Sequence, residues 1–167
     1  MLTSTSLPYT DTKPQGAADF YLCINATFRF IRKRLGVEGL RRYWSEIGAQ
    51  YYRPVTEIWK AGGLPAVARY WRDFFDAEPG SEVEVVTTSE EVVVDVRTCP
   101  AIAHLRAGGR EIEADFCQHC YFVSEEIASG AGLTVRVEGG AGRCTQRFFA
   151  PTAETSPQDL QRIHLCS

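Results

Sequence analysis

EPGSEVEVVTTSEEVVVDVRT, residues 78–98, is the stretch on which the fold of this chain turns. Glu78-Pro79-Gly80-Ser81 gathers turn formers, and past it the apolar period changes from helical to alternating. Glu82 to Thr88 and Val92 to Thr98 are β-branched runs joined by Ser89-Glu90-Glu91, which predicts a hairpin. Upstream, residues 17–77 read as helical. Phe20, Ile24, Phe28, Ile31 and Leu35 recur at spacings of three and four, an amphipathic stripe that Gly36 is placed to stop. A second helix is expected from Glu38 to about Tyr52, before Pro54. Val55 to Lys60 predicts a short helix ahead of Gly62-Gly63, and Leu64 to Ala77 another, with Pro65 in its first turn.

Downstream, Pro100 to Ala107 predicts one or two helical turns and Glu111 to Ser129 a long helix. Leu133 to Glu138 and Cys144 to Phe149 form a second pair of strands across Gly139-Gly140-Ala141-Gly142. The predicted class is α+β: N-terminal helices packed on a small antiparallel sheet of two hairpins, with one long helix between them. Residues 17–150 form a single domain in this reading, flanked by a flexible tail over 1–16 and a C-terminal tail over 151–167. Within the latter, Pro157 to His164 could form a short helix.

A chain of 167 residues is long enough to bury a core without staples. Its net charge of −3 gives no general field for nucleic acid or anionic lipid. The basic run Arg29, Arg32, Lys33, Arg34, Arg41 and Arg42 reads as a solvated helix face. No apolar window reaches the ~20 residues of a membrane span, and Met1 to Gly16 lacks the pattern of a secretory signal. The expected setting is cytoplasmic, with reduced thiols. The expected partner is a small-molecule substrate, with neither nucleic acid nor membrane, and self-association is left open.

The chemistry concentrates in Cys99, His104, Cys117, His119, Cys120 and Cys144. Cys99 precedes Pro100 at a helix start, where the macrodipole favours thiolate. Cys117-Gln-His-Cys120 places two thiols three apart, sharing a helix face, a pattern that suits metal ligands or dithiol chemistry. Asp115 is placed to orient a histidine or act as a base. Gly140 and Gly142 serve a tight hairpin and could present amides to an anion, with Arg147 nearby. Cys144, Gln146 and Phe148 share one strand face, and the sequence leaves open whether that face points inward. Cys23 and Cys166 are assigned no role. Trp44, Tyr51, Tyr52, Trp59 and Trp71 are candidates for an aromatic pocket, with core packing the simpler reading.

The run Cys99-Pro100, the helix carrying Cys117, and Gly142-x-Cys144-x-x-Arg147-Phe148 together resemble the L-2-amino-thiazoline-4-carboxylic acid hydrolase family, over roughly residues 20–149. That resemblance implies hydrolytic opening of a small C–N heterocycle, with Cys99, Cys117 and Cys144 as functional positions. The last part, with Val135-x-Val137-Glu138 and Gly142-x-Cys144-x-x-x-Phe148, is similar to the 4-vinyl reductase domain. Where that domain binds zinc it uses cysteines near this hairpin. Here the ligands it implies are Cys117, Cys120 and Cys144, with Glu138 or His119. The leading expectation is a cysteine-dependent hydrolase or lyase acting on a small heterocyclic or amide-like C–N bond without a cofactor. Cys99 or Cys117 would attack, His104 or His119 would move protons, and Asp115 would orient the imidazole. The alternatives are a zinc-binding enzyme or sensor domain, and a small-molecule-binding protein lined by aromatics.

Overall fold

A computed structural model describes residues 19–151 and 156–166. The expected N-terminal tail lies outside the described residues, apart from its neighbours at the start of the first helix. Helix α1 spans Phe20–Glu46 and continues through a π-helical turn, Ile47–Tyr51, into α2, Arg53–Ala77. Both long helices bend where glycines were expected to stop them. Gly36 sits at φ 71° and Gly63 at φ 57°, a left-handed conformation that only glycine adopts cheaply. The four expected helical pieces are therefore present, strung end to end as two bent rods, and Pro54 falls in the first turn of α2.

Strands β1 (Glu82–Thr87) and β2 (Glu91–Thr98) form the expected hairpin. Helix α3 (Pro100–Ala107) and helix α4 (Gln118–Gly130) follow, then β3 (Thr134–Gly140) and β4 (Arg143–Phe149). The α+β class and its two hairpins hold. The sheet is larger than two hairpins, however, with the order β1-β2-β4-β3-β5. Its fifth strand, β5 (Ile163–His164), runs parallel to β3, pairing Gly139 with Ile163 and Gly140 with His164.

The C-terminal segment is thus no tail over its described residues 156–166. A 3₁₀ turn at Leu160–Arg162 replaces the expected Pro157 to His164 helix. The Gln158 side chain brackets Val137, accepting from its N–H and donating to its C=O, both at 2.9 Å. Gly140 makes β5 possible, because a Cβ there would lie 2.5 Å from the His164 carbonyl oxygen.

One face of the sheet carries Val92, Val94 and Val96 of β2, Val135 and Val137 of β3, and Gln146 and Phe148 of β4, all buried. The face of Cys144, Gln146 and Phe148 therefore points inward. Helix α2 covers β1 and β2, and α4 covers β3. Trp59 packs edge-on against Phe148 in this core, with Trp71 beside them. A second core lies under α1, where Phe28, Leu40 and Trp44 meet Ile102, Leu105 and Phe116. The tryptophans are divided between the two cores and Tyr51 is exposed, so the proposed aromatic pocket is core packing.

The long helix expected from Glu111 starts only at Gln118. Asn25 on α1 explains the difference. Its side chain donates to the Glu111 carbonyl and accepts from the Glu113 amide, each at 2.9 Å, so those backbone groups are withheld from helix. Arg32 holds the same segment through Asp115 and Glu113. Replacing Asn25 with alanine strands a buried amide, and should cost about 1–3 kcal/mol. Urea unfolding of the purified variant checks this, with the wild-type midpoint as reference.

Candidate functional site

The sulfurs gather on the seam between the two cores. Cys99 and Cys117 pack against both, Cys144 against the sheet core, and Cys166 within the core under α1. Cys99 caps α3, with Pro100 at the first helical position as expected. Its amide donates to the Gly142 carbonyl at 2.9 Å, which ties the α3 start to the β3–β4 turn. Because α4 begins late, Cys117 stands at its N-cap and not in mid-helix.

The contact at the centre is one that the sequence reading missed. Cys117 Sγ lies 3.2 Å from Cys166 Sγ. The Ala141 N–H donates to Cys117 Sγ at 3.3 Å. Ala141 is the one non-glycine with positive φ among the described residues, at 52°. That conformation is costly for a residue with a Cβ, and here it aims an amide at sulfur. The Cys166 amide in turn donates to the Ala114 carbonyl at 2.8 Å. Leu160, Ile163 and Cys166, apolar residues of this segment that pack inward, are the sequence signal that it folds back.

Electrostatics separate the thiols. Burial pushes Cys99 up to about 11, although the amides of Ile102 and Ala101 work against it. It pushes Cys120 up to about 12 and raises Cys144 as well. Cys117 is raised most, first by its hydrogen bond to Cys166 and then by burial. Cys166 moves the other way: the Cys117 thiol donates to it, the amides of Cys117 and Ala141 face it, and Arg106 adds positive charge. Cys166 is therefore the thiol whose surroundings favour the charged form, and Cys117, in contact with it, is the one whose surroundings oppose it most.

The expected proton carriers stand elsewhere. His104 pairs with Asp19 at 3.4 Å beside the Tyr21 ring, where α1 begins. His119 packs among Phe28, Trp44 and Phe116, and its Nδ1 lies 2.6 Å from the Phe116 carbonyl, so that nitrogen donates. Burial lowers its affinity for a second proton. Its Nε2, left as an acceptor, is 3.7 Å from Cys120 Sγ. Asp115 is engaged by Arg32 and, at 2.9 Å, by the Gln118 side chain, so it orients the loop and not an imidazole. Arg147 is on the outer sheet face, doubly bonded to Glu91. Gly140 is paired to β5, while Gly142 lies under Arg106, whose guanidinium would be 3.3 Å from a Cβ there.

Of the zinc ligands implied by the vinyl reductase resemblance, Glu138 points from the outer sheet face to Arg162 at 2.6 Å, away from the sulfurs, whereas His119 keeps Nε2 toward Cys120 Sγ with Nδ1 on the Phe116 carbonyl. Among the described residues no group of three His, Cys, Asp or Glu side chains is arranged to hold a metal ion. A surface cleft of about 430 Å³ between α2 and the first hairpin is lined by Arg72, Phe75, Asp76, Glu84 and Arg97, with no cysteine. No described helix is long and apolar enough to cross a membrane.

The chain matches no family model, no curated protein and no solved structure.

The raised thiols carry a consequence for stability. The folded state holds protons on Cys99, Cys120 and Cys144 above the pH where an unfolded cysteine, near 8.5, releases them. Folded protein then binds more protons than unfolded protein, so stability falls as pH rises from about 8.5 toward 11. Urea unfolding in reductant should show a lower midpoint at pH 9.5 than at pH 8, and C144A should lessen the difference.

Proposed function

We propose that this protein is a cysteine-dependent enzyme that hydrolyses a C–N bond in a small heterocyclic or amide-like substrate, with Cys166 as the attacking sulfur. The observation that carries the reading is the contact of Cys166 with Cys117 at 3.2 Å, beneath the Ala141 amide. A thiolate is the nucleophilic form, and hydrogen-bond donors with a nearby cation are what make one available near neutral pH.

In this scheme Cys166 sulfur bonds to the electrophilic carbon of the substrate. The Cys117 proton, no longer shared with a thiolate, passes to the nitrogen as the C–N bond breaks. Water then attacks the sulfur-bound carbon, releasing Cys166 and returning a proton to the pair. The Ala141 amide and Arg106 are the donors available to negative charge that develops beside the sulfur. Cys99 and Cys117, the nucleophiles expected from sequence, become a structural thiol and the proton donor. The small-heterocycle class is carried by the hydrolase resemblance alone.

A 2-amino-thiazoline carboxylate is the first probe, because ring opening adds one water and is read by mass. C166S should lose turnover by roughly 10³-fold or more, while C99S and C144S keep most of it. The wild-type rate should rise with pH through a midpoint below the ~8.5 of an ordinary thiol. Undiminished turnover in C166S would overturn the assignment.

A further inference from the structure

The geometry points to Cys117 and Cys166 as an oxidisable dithiol: a pair that a hydroperoxide converts to a disulfide bridging the α4 N-terminus and the C-terminal segment. The proposal stands apart from the hydrolytic reading and needs no substrate of that reaction.

Both cysteines are free thiols, and their sulfurs are already in hydrogen-bond contact at 3.2 Å. A disulfide needs about 2.05 Å, so roughly 1 Å of closure separates the two states. The Cys166 side can supply that movement. Its segment is held by a two-residue strand, one backbone bond to Ala114, the Gln158 clasp, the Arg162–Glu138 ion pair and the burial of Ile163, none of which involves the thiol. The other sulfurs are differently engaged: Cys120 faces the His119 ring, and Cys99 lies under the amides of α3. Cys23 is exposed on α1.

The pair is also asymmetric in the way a two-step oxidation requires. Cys166 is surrounded by donors, and Cys117 is the proton-bearing neighbour in contact with it. Cys166 sulfur attacks one peroxide oxygen, an S–O bond forms as the O–O bond breaks, and the departing oxygen leaves as alcohol or water after protonation. Cys117 sulfur then attacks the sulfenic sulfur. The S–S bond forms as the S–O bond breaks, and the hydroxide takes the Cys117 proton to leave as water. Two thiols are oxidised by two electrons, and one hydroperoxide is reduced. A thiol reductant reverses the step by exchange.

The test uses the full chain in a C23S background, reduced, freed of reductant, and treated with hydrogen peroxide in small excess. Remaining thiols are then blocked with N-ethylmaleimide and the protein is peptide-mapped. The expected product has lost two thiols, joins the Cys117 and Cys166 peptides, and returns to the starting state with dithiothreitol. In C117S the first step still occurs, but Cys166 over-oxidises to the sulfinic acid because no thiol resolves it. In C166S thiol loss should be roughly tenfold slower or more. A cross-link that joins other cysteines, Cys166 sulfinic acid in the protein retaining Cys117, or no loss of thiols at the dose that over-oxidises C117S would overturn it. Mapping the chain with both cysteines present gives the answer even where a variant folds poorly, and none of these readouts depends on C–N hydrolysis.

Discussion

The clasp of α1 on residues 111–115 is the constraint from which the sulfur geometry follows. Asn25 takes one carbonyl and one amide from this segment, and Arg32 neutralises two carboxylates that are otherwise buried. Without the cation, Glu113 and Asp115 would be like charges in a poorly hydrated site, which is strongly unfavourable. With it, the segment stays out of the helix, running into a turn over residues 114–117, and α4 starts late. Cys117 becomes a cap, and the Ala114 carbonyl is left free to receive the Cys166 amide. Each sulfur of the central pair is therefore placed by backbone that α1 holds.

A second constraint comes from the other side, where glycine removes side chains from the β3–β4 turn. Gly140 lets β5 lie against the sheet edge, which carries the chain past the turn to Cys166, while Gly139 lets β4 approach closely. Ala141 and Gly142 both take positive φ, the backbone of a tight mirror-image turn. The turn that was expected to present amides to a substrate presents one to Cys117. Its neighbouring carbonyl, on Gly142, is taken by Cys99. The same two-residue turn thus touches α3, α4 and, through Arg106 above it, the surroundings of Cys166.

The parts of the fold legible in sequence were those with local causes. Alternation in residues 82–98 marks the hairpin, and the glycines at 36 and 63 mark the bends. Proline marks the starts of α2 and α3. The late start of α4 was not legible, because Glu111 to Phe116 has helix-compatible spacing and its competitor, Asn25, lies 86 residues away from Glu111. The basic run on α1 is a solvated face only in part, at the exposed Lys33, Arg34 and Arg42. Arg29, Arg32 and Arg41 are instead engaged by Glu111, Glu113, Asp115 and Gln118. Cys166 escaped notice for a related reason. A two-residue parallel strand has no periodicity of its own, and its position depends on a turn in another hairpin.

Crowding several cysteines on one apolar seam has an electrostatic consequence that decides their roles. Desolvation disfavours the thiolate at every position, and a charge on one sulfur opposes charge on the next. Cys99, Cys117, Cys120 and Cys144 all show both effects, each being raised by burial and by neighbouring sulfurs. Cys166 is the one of these thiols that is lowered, because the Cys117 thiol, two amides and a guanidinium converge there and outweigh burial. Removing a donor would therefore do more than weaken one hydrogen bond. It would remove what offsets burial at Cys166 and raise that thiol as its four neighbours are raised.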